Sequence, residues 1–219
     1  MLRAPCGKVN LADSYVAVVD DGRGMTPDDL RRAMALAVRG PRSKRGNLEL
    51  GRFGMGLKTA SFSQASKLVV WSRTAESDPA VRVWDLDQVV TSGEWRLLTA
   101  ADKTSRPILR RLTKDYPEAK TIVLWRALTK IVEDVATSDD AAGQNHFLAA
   151  VARVEQHLAM TFGRFLTGSR SGRRRLNLRL NGANVSSWDP FIEAHPHTRP
   201  QPVEHLQIDS HPVLVRPFV

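Results

Sequence analysis

The spacing of apolar residues changes several times along this chain, and each change of period marks a change of element. Tyr15-Val16-Ala17-Val18-Val19 is a β-branched and aromatic run that predicts a strand. With Val9-Asn10-Leu11 it reads as a hairpin around the polar turn Ala12-Asp13-Ser14. Leu30, Ala33, Met34 and Ala37 then recur at i, i+3, i+4 and i+7, the spacing of a short packed helix. Thr26 is a natural cap for it, Pro27 suits the first helical position, and Asp28 and Asp29 suit the positive end of the dipole. A helix over Leu57–Ala65 leads into a strand at Lys67–Ser72. Further strands are predicted at Val81–Leu86 and Glu94–Leu98, a charged helix around Pro107–Lys114, and a strand at Thr121–Trp125.

The second half has a different rhythm. Ala136 to Gly143 is polar, small and glycine-terminated, which predicts a junction between domains. A long amphipathic helix follows over Gln144–Leu166, with Phe147, Val151, Val154, Leu158, Phe162 and Phe165 on one stripe. An arginine-rich turn, Ser169–Arg175, precedes Leu176, Leu178 and Leu180, which alternate as in a half-exposed strand. Asn181-Gly182 signals a type I′ hairpin turn. From Trp188 onward the chain is punctuated by prolines and reads as ending within a strand. His195 and His197 lack further ligands at metal-binding spacing and read as surface residues. The division is an α/β domain over 1–137 and a partial second α/β domain over 144–219.

Composition narrows the class. The chain has 219 residues, 42% hydrophobic and 25% charged, and no uninterrupted apolar run long enough to cross a membrane. Its start is too short and broken for a signal peptide. A single cysteine, Cys6, excludes an internal disulfide and fits a reducing cytoplasm. The net charge of +9 is clustered. Arg39 to Lys58 holds six basic residues against Glu49, and Arg164 to Arg179 holds six arginines and no acid. Such clusters attract phosphate, from a nucleotide or from DNA, although an excess of arginine over lysine also follows from a GC-rich genome.

The candidate chemistry centres on Gly51-Arg52-Phe53-Gly54-Met55-Gly56-Leu57-Lys58-Thr59-Ala60-Ser61. Three glycines in six residues before a helix let a backbone approach a phosphate closely, and a bare tight turn would read the same way. It is not a Walker A loop, because Leu57 separates Gly56 from Lys58. Nor is it the dinucleotide fingerprint, because the order is G-x-x-G-x-G. Upstream, the Tyr15–Val19 strand delivers Asp20-Asp21-Gly22-Arg23-Gly24-Met25. A carboxylate at a strand end followed by glycines is suited to accept a hydrogen bond from the exocyclic amine of a base. Between the two motifs, Val38 to Asn47 lacks periodicity and carries four positive charges, as a surface loop does.

Together these motifs resemble the GHKL ATP-binding superfamily of gyrase B, heat-shock chaperone ATPases, histidine kinases and MutL, and the Lys58–Ser61 continuation looks most like its microrchidia-type branch. The resemblance implies a two-layer α/β sandwich of the Bergerat type, with the start of a transducer-like domain behind it. It implies ATP and Mg²⁺ as ligands and the loop around residues 38–47 as a lid. It implies a nucleotide site made by Asp20, Gly22, Gly24, Met25, Phe53, Gly54, Met55, Gly56, Lys58 and Thr121. Asp20 would read the adenine amine, Gly22 and Gly24 would shape the base pocket, and Gly54, Gly56 and Lys58 would hold phosphates. Thr121-Ile122-Val123-Leu124-Trp125 looks like the family's third motif, with Lys120 where glycine is common, and Thr121 would contact phosphate or lid.

Relatives also carry an N-box helix whose glutamate activates water and whose asparagine ligates Mg²⁺. The first glutamate here is Glu49, so the chain reads as truncated at both ends, with an incomplete metal site and weak or absent hydrolysis. The implied function is ATP binding coupled to movement of lid and domains, as in microrchidia-type or MutL-type clamps that dimerise at full length. The alternatives are a degenerate module binding DNA or protein through its arginines, and a histidine-kinase-like protein. Against the kinase stands the position of Thr121, which is far from the chain end.

Overall fold

The computed structural model describes residues 14–35, 55–129, 141–168, 175–193 and 195–219. The expected hairpin partner at 9–11, the lid loop, most of the glycine-rich loop and the arginine-rich turn at 169–174 lie outside them. The chain divides into two compact units, 1–151 and 152–219, so the division falls within a helix. The expected junction at 136–143 lies mostly outside the described residues.

In the first unit the elements run β1 (Tyr15–Asp20), α1 (Pro27–Met34), α2 (Gly56–Phe62), β2 (Ala65–Ser72), β3 (Ala80–Asp85), α3 (Leu86–Ser92), α4 (Ser105–Asp115) and β4 (Thr121–Leu128). The strands form one antiparallel sheet in the order β1-β4-β2-β3. This is the α/β fold that the sequence resemblance implies. Because side chains alternate across a strand, β2, β3 and β4 each feed two cores, while β1 feeds one. Tyr15, Ala17, Val69, Val83, Ile122 and Leu124 pack with Leu109 and Leu112 of α4. Leu68, Val70 and Trp84 pack with Leu30 and Met34 of α1, flanked by Met25, Leu57 and Phe62. Leu30, Met34, Leu68, Val69, Val70 and Leu124 have no exposed surface. Each such side chain contributes roughly 1.5–3 kcal/mol of burial.

Local chemistry sets the helix ends. Thr26 caps α1 as expected, its Oγ1 accepting from the Asp29 amide at 3.2 Å and donating to Asp29 Oδ2 at 2.7 Å. That hydroxyl holds the Asp29 carboxyl below its ordinary pKa. The Trp84 indole N–H donates to the Met34 carbonyl at 2.9 Å and ties the end of α1 to β3. Lys67 joins two helix starts, its Nζ lying 2.9 Å from Asp85 and 2.7 Å from Asp102. Asp85 caps α3, and Asp102 accepts the amides of Thr104 and Ser105 at the start of α4.

Three expectations in this unit are corrected. Ala65 belongs to β2 rather than to the preceding helix, and its side chain is buried. Leu86 opens α3, a helix not anticipated: Asp85 caps it at one end and Gly93, at φ +70°, closes it at the other. Glu94–Leu98 forms no strand, and only Leu98 makes a bridge, to Val83.

The second unit begins within α5 (Ala141–Thr161) and continues through α6 (Gly163–Leu166), β5 (Arg179–Leu180), β6 (Ala183–Asn184), β7 (Glu204–Ile208) and β8 (His211–Val215). Its core is small: Ala159, Leu166 and Val185, surrounded by Leu158, Phe162, Leu178 and Leu180. The long helix predicted to Leu166 is instead broken at Phe162. There the Trp188 carbonyl approaches so closely that a Cβ on Gly163 would lie 3.1 Å from it. Val154, on the predicted stripe, is exposed. Only Arg179–Leu180 of the predicted 176–180 strand pairs. Asn181 (φ +51°) and Gly182 (φ +88°) do make the expected turn. The β7–β8 hairpin turns on Asp209 and Ser210, which adopt the same left-handed geometry without an Asn-Gly signal.

Candidate functional site

The turn after β1 is built by a carboxylate and two glycines. Asp20, exposed at the strand end, accepts a hydrogen bond from the Gly22 amide at 3.2 Å through Oδ1. A side chain at Gly22 would put a Cβ 2.9 Å from that oxygen, so glycine leaves one flank of the carboxylate open. Gly24 is required twice over. Its φ is +71°, and a Cβ there would fall 1.8 Å from the Arg73 carbonyl oxygen.

A buried serine holds this turn to the sheet. The Ser72 hydroxyl accepts from the Met25 amide at 2.9 Å, donates to the Lys120 carbonyl at 2.9 Å and lies 3.0 Å from the Thr121 hydroxyl. Thr121 sits at the head of β4, directly opposite Asp20 on β1 and Ser72 on β2. The backbone completes the clamp, with the Lys120 amide donating to Asp20 and the Arg73 amide to Lys120. Asp20, Gly22, Gly24, Met25 and Thr121 therefore meet in one corner. Ser72 was not singled out from sequence. Its signal is a polar residue continuing the Leu68, Val70 stripe, at a position with no exposed surface.

The second motif lies on α2. Met55 precedes the helix and is exposed, its carbonyl accepting the amides of Lys58 and Thr59. Gly56 opens the helix, and a Cβ added there would meet open space. Lys58 is only 3% exposed, and its ammonium donates to the Ala33 carbonyl near the end of α1 at 2.8 Å. Burial pushes its pKa below the ordinary lysine value. Phe53 and Gly54 lie outside the described residues. The two motifs are joined through the α1 core, in which Met25 and Leu57 pack on the same cluster.

The sequence pattern of the family described as histidine kinase-, DNA gyrase B-, and HSP90-like ATPase matches residues 7–116. The chain belongs to this family. The chain is also similar to the proteins microrchidia 3 and microrchidia 2 of Arabidopsis thaliana, each 39% identical over 70 residues. The matched stretch spans 31% of this chain and 11% of the length of each relative. The family match stops at residue 116, so Thr121 joins the site on geometry alone: its register opposite Asp20 and its contact with Ser72. Among the described residues no helix is long and apolar enough to cross a membrane. Nor do three His, Cys, Asp or Glu side chains come together there in a way that could hold a metal ion.

Proposed function

We propose that this ATPase-family chain binds ATP, with the base in the corner made by Asp20, Gly22, Gly24, Met25 and Thr121. The observation that carries the reading is the Asp20 carboxylate, exposed at the strand end with its flank left open by Gly22. An ionised carboxylate accepts hydrogen bonds only, so it matches the adenine amine and repels the carbonyl oxygen that guanine presents at the same place. On this reading Thr121, whose register opposite Asp20 supports it, contacts the base side of the nucleotide instead of the phosphate or lid that the resemblance implies. Phosphate contacts fall to the α2 motif, where Gly56 offers open backbone and Lys58 a cation. The Lys58 ammonium has three N–H donors, so a phosphate held by it would share the cation with the Ala33 carbonyl, and phosphate binding would be coupled to the end of α1. That coupling is the conformational response we assign to nucleotide. Mg²⁺ would offset phosphate charge when bound, and it is given no ligand among the described residues.

The test is calorimetric titration of the 1–219 chain with ATP and with GTP, repeated for Asp20→Asn. Loss of a charge-assisted hydrogen bond costs roughly 1.5–3 kcal/mol, so ATP affinity falls about tenfold or more while the thermal melt stays cooperative. ATP affinity unchanged in the variant would reject Asp20 as the group that reads the base.

A further inference from the structure

The sheet face that packs on α4 carries a cavity that the Asp20 corner does not use. It has a volume of about 520 Å³ and is bounded by β2, β3, α4 and residues 99–101. Trp71 and Leu109 give it an apolar wall, Arg82, Arg106 and Arg110 also line it, and among the described residues no aspartate or glutamate does. The sequence explains the grouping. Arg106 and Arg110 are four residues apart on α4 and share a face, while Arg82 lies on the edge strand β3.

Arg82 lies opposite Val70, whose side chain faces α1, so the guanidiniums grouped on the α4 side are those of Arg106 and Arg110. One turn apart with no carboxylate among the described lining residues, they repel one another, and an anion between them would relieve that repulsion. Their own hydrogen bonds leave donors to spare. Arg106 donates to the Ala101 carbonyl at 3.1 Å, whereas each guanidinium has five N–H groups. The nearby Asp102 is committed to Lys67, Thr104 and Ser105. The volume is that of a small-molecule pocket rather than of a seat for one inorganic ion.

We propose that this cavity binds a small organic anion, a phosphate or carboxylate group carried on a planar apolar body. The guanidiniums hold the charge and the body lies against Trp71 and Leu109. A concave, partly apolar site favours such a ligand over a nucleic-acid backbone, which is met by basic surface without an apolar wall. The site is independent of the ATP reading, because Ser72 and Trp71, adjacent on β2, face opposite sides of the sheet.

The test titrates the 1–219 chain with phenyl phosphate and with benzoate, following amide shifts by nuclear magnetic resonance. Saturable binding of either probe is expected, and the stronger of the two identifies phosphate or carboxylate as the anion. Affinity should fall about tenfold or more in Arg106→Glu/Arg110→Glu, both exposed positions, and stay unchanged in Asp20→Asn. Ala100→Trp, at an exposed lining position, should abolish binding by filling the cavity without changing its charge. No saturation by either probe, or wild-type affinity in the charge-reversal variant with an intact melt, would overturn the proposal. So would capture of duplex DNA by these arginines when neither small probe saturates.

Discussion

The two faces of the four-stranded sheet are made by the same strands and do different chemistry. Toward α1 and α2, β2 presents Leu68, Val70 and Ser72, and the stripe ends in a polar clamp that shapes the Asp20 turn. Toward α4, it presents Lys67, Val69 and Trp71, and the stripe ends in an arginine-lined cavity. One face closes its polar groups on one another; the other pairs Lys67 with two carboxylates but gives the cavity's arginines no aspartate or glutamate among the described lining residues. Neighbouring residues in one strand thus serve unrelated sites, and a one-residue slip of register would exchange them. Substitutions that strike one face, the other or both separate the two roles.

Gly24→Ala should have the largest effect and should strike both faces. The new Cβ would lie 1.8 Å from the Arg73 carbonyl, at a φ of +71° that alanine disfavours. Relief requires the backbone to move where β2, β4 and the Asp20 turn are hydrogen-bonded together. Strain and overpacking together predict a loss of about 3–5 kcal/mol, measured by urea unfolding. A loss under about 1 kcal/mol would mean that the turn is not fixed to the sheet as described.

Lys67→Met strikes the α4 face. Burial alone would raise the Asp102 pKa, but hydrogen bonds from Lys67, Thr104 and Ser105 hold it well below the ordinary carboxylate range. Burial likewise lowers the pKa of Lys67, and its two carboxylate partners more than restore it. The depressed Asp102 pKa contributes stability that is full above the unfolded value of about 3.9 and is lost as pH falls toward the folded value. The variant should lose about 2–3 kcal/mol at pH 7, since two partly buried carboxylates lose their shared cation. Its stability should also fall less steeply below pH 4 than that of the parent. A parallel pH profile in parent and variant would show that Lys67 does not set the Asp102 pKa. ATP binding, on the opposite face, should be unaffected at pH 7.

Ser72→Ala strikes the α1–α2 face alone. It leaves the Met25 amide and the Thr121 hydroxyl without their buried partner, for about 1–2 kcal/mol of stability. ATP affinity should fall with it, and phenyl phosphate binding beside Trp71 should not. A loss of both would mean that the two faces are coupled through β2.

Where the sequence carried a local rule, the fold was legible. Tyr15–Val19 alternates, Thr26-Pro27 starts a helix, Thr121–Trp125 is a central strand and Asn181-Gly182 turns a hairpin, all as read. The family match agrees with the Asp20–Gly24 and Gly51–Lys58 motifs that led to it. The misses have two causes. Helix α3 carries local signals that were not read, the caps Asp85 and Gly93. The others involve partners distant in sequence: beside the break at Phe162 the Trp188 amide donates to the Ala159 carbonyl. The role of Ser72 depends on Lys120 and Thr121, nearly fifty residues away in the chain. Lys58 was legible as a candidate phosphate ligand, but its hydrogen bond to Ala33 was not.

The smallest effect is expected at Gly56, and it separates two uses of glycine on one face. Gly24 is there because the fold has no room for a side chain, whereas a Cβ at Gly56 would meet nothing within 4 Å among the described residues. Gly56 also opens a helix, where alanine is the better former. Gly56→Ala should therefore raise stability by about 0.5–1 kcal/mol, or leave it unchanged because the position lies at the helix end. If phosphate is held against the open backbone at this point, the added methyl occupies the approach and ATP affinity drops while stability does not. Urea unfolding must then show stability risen or held while ATP calorimetry shows affinity lowered. Stability and affinity rising together would show that Gly56 makes no close approach to ligand, and the phosphate contacts would have to be sought in Lys58 and the residues before Met55.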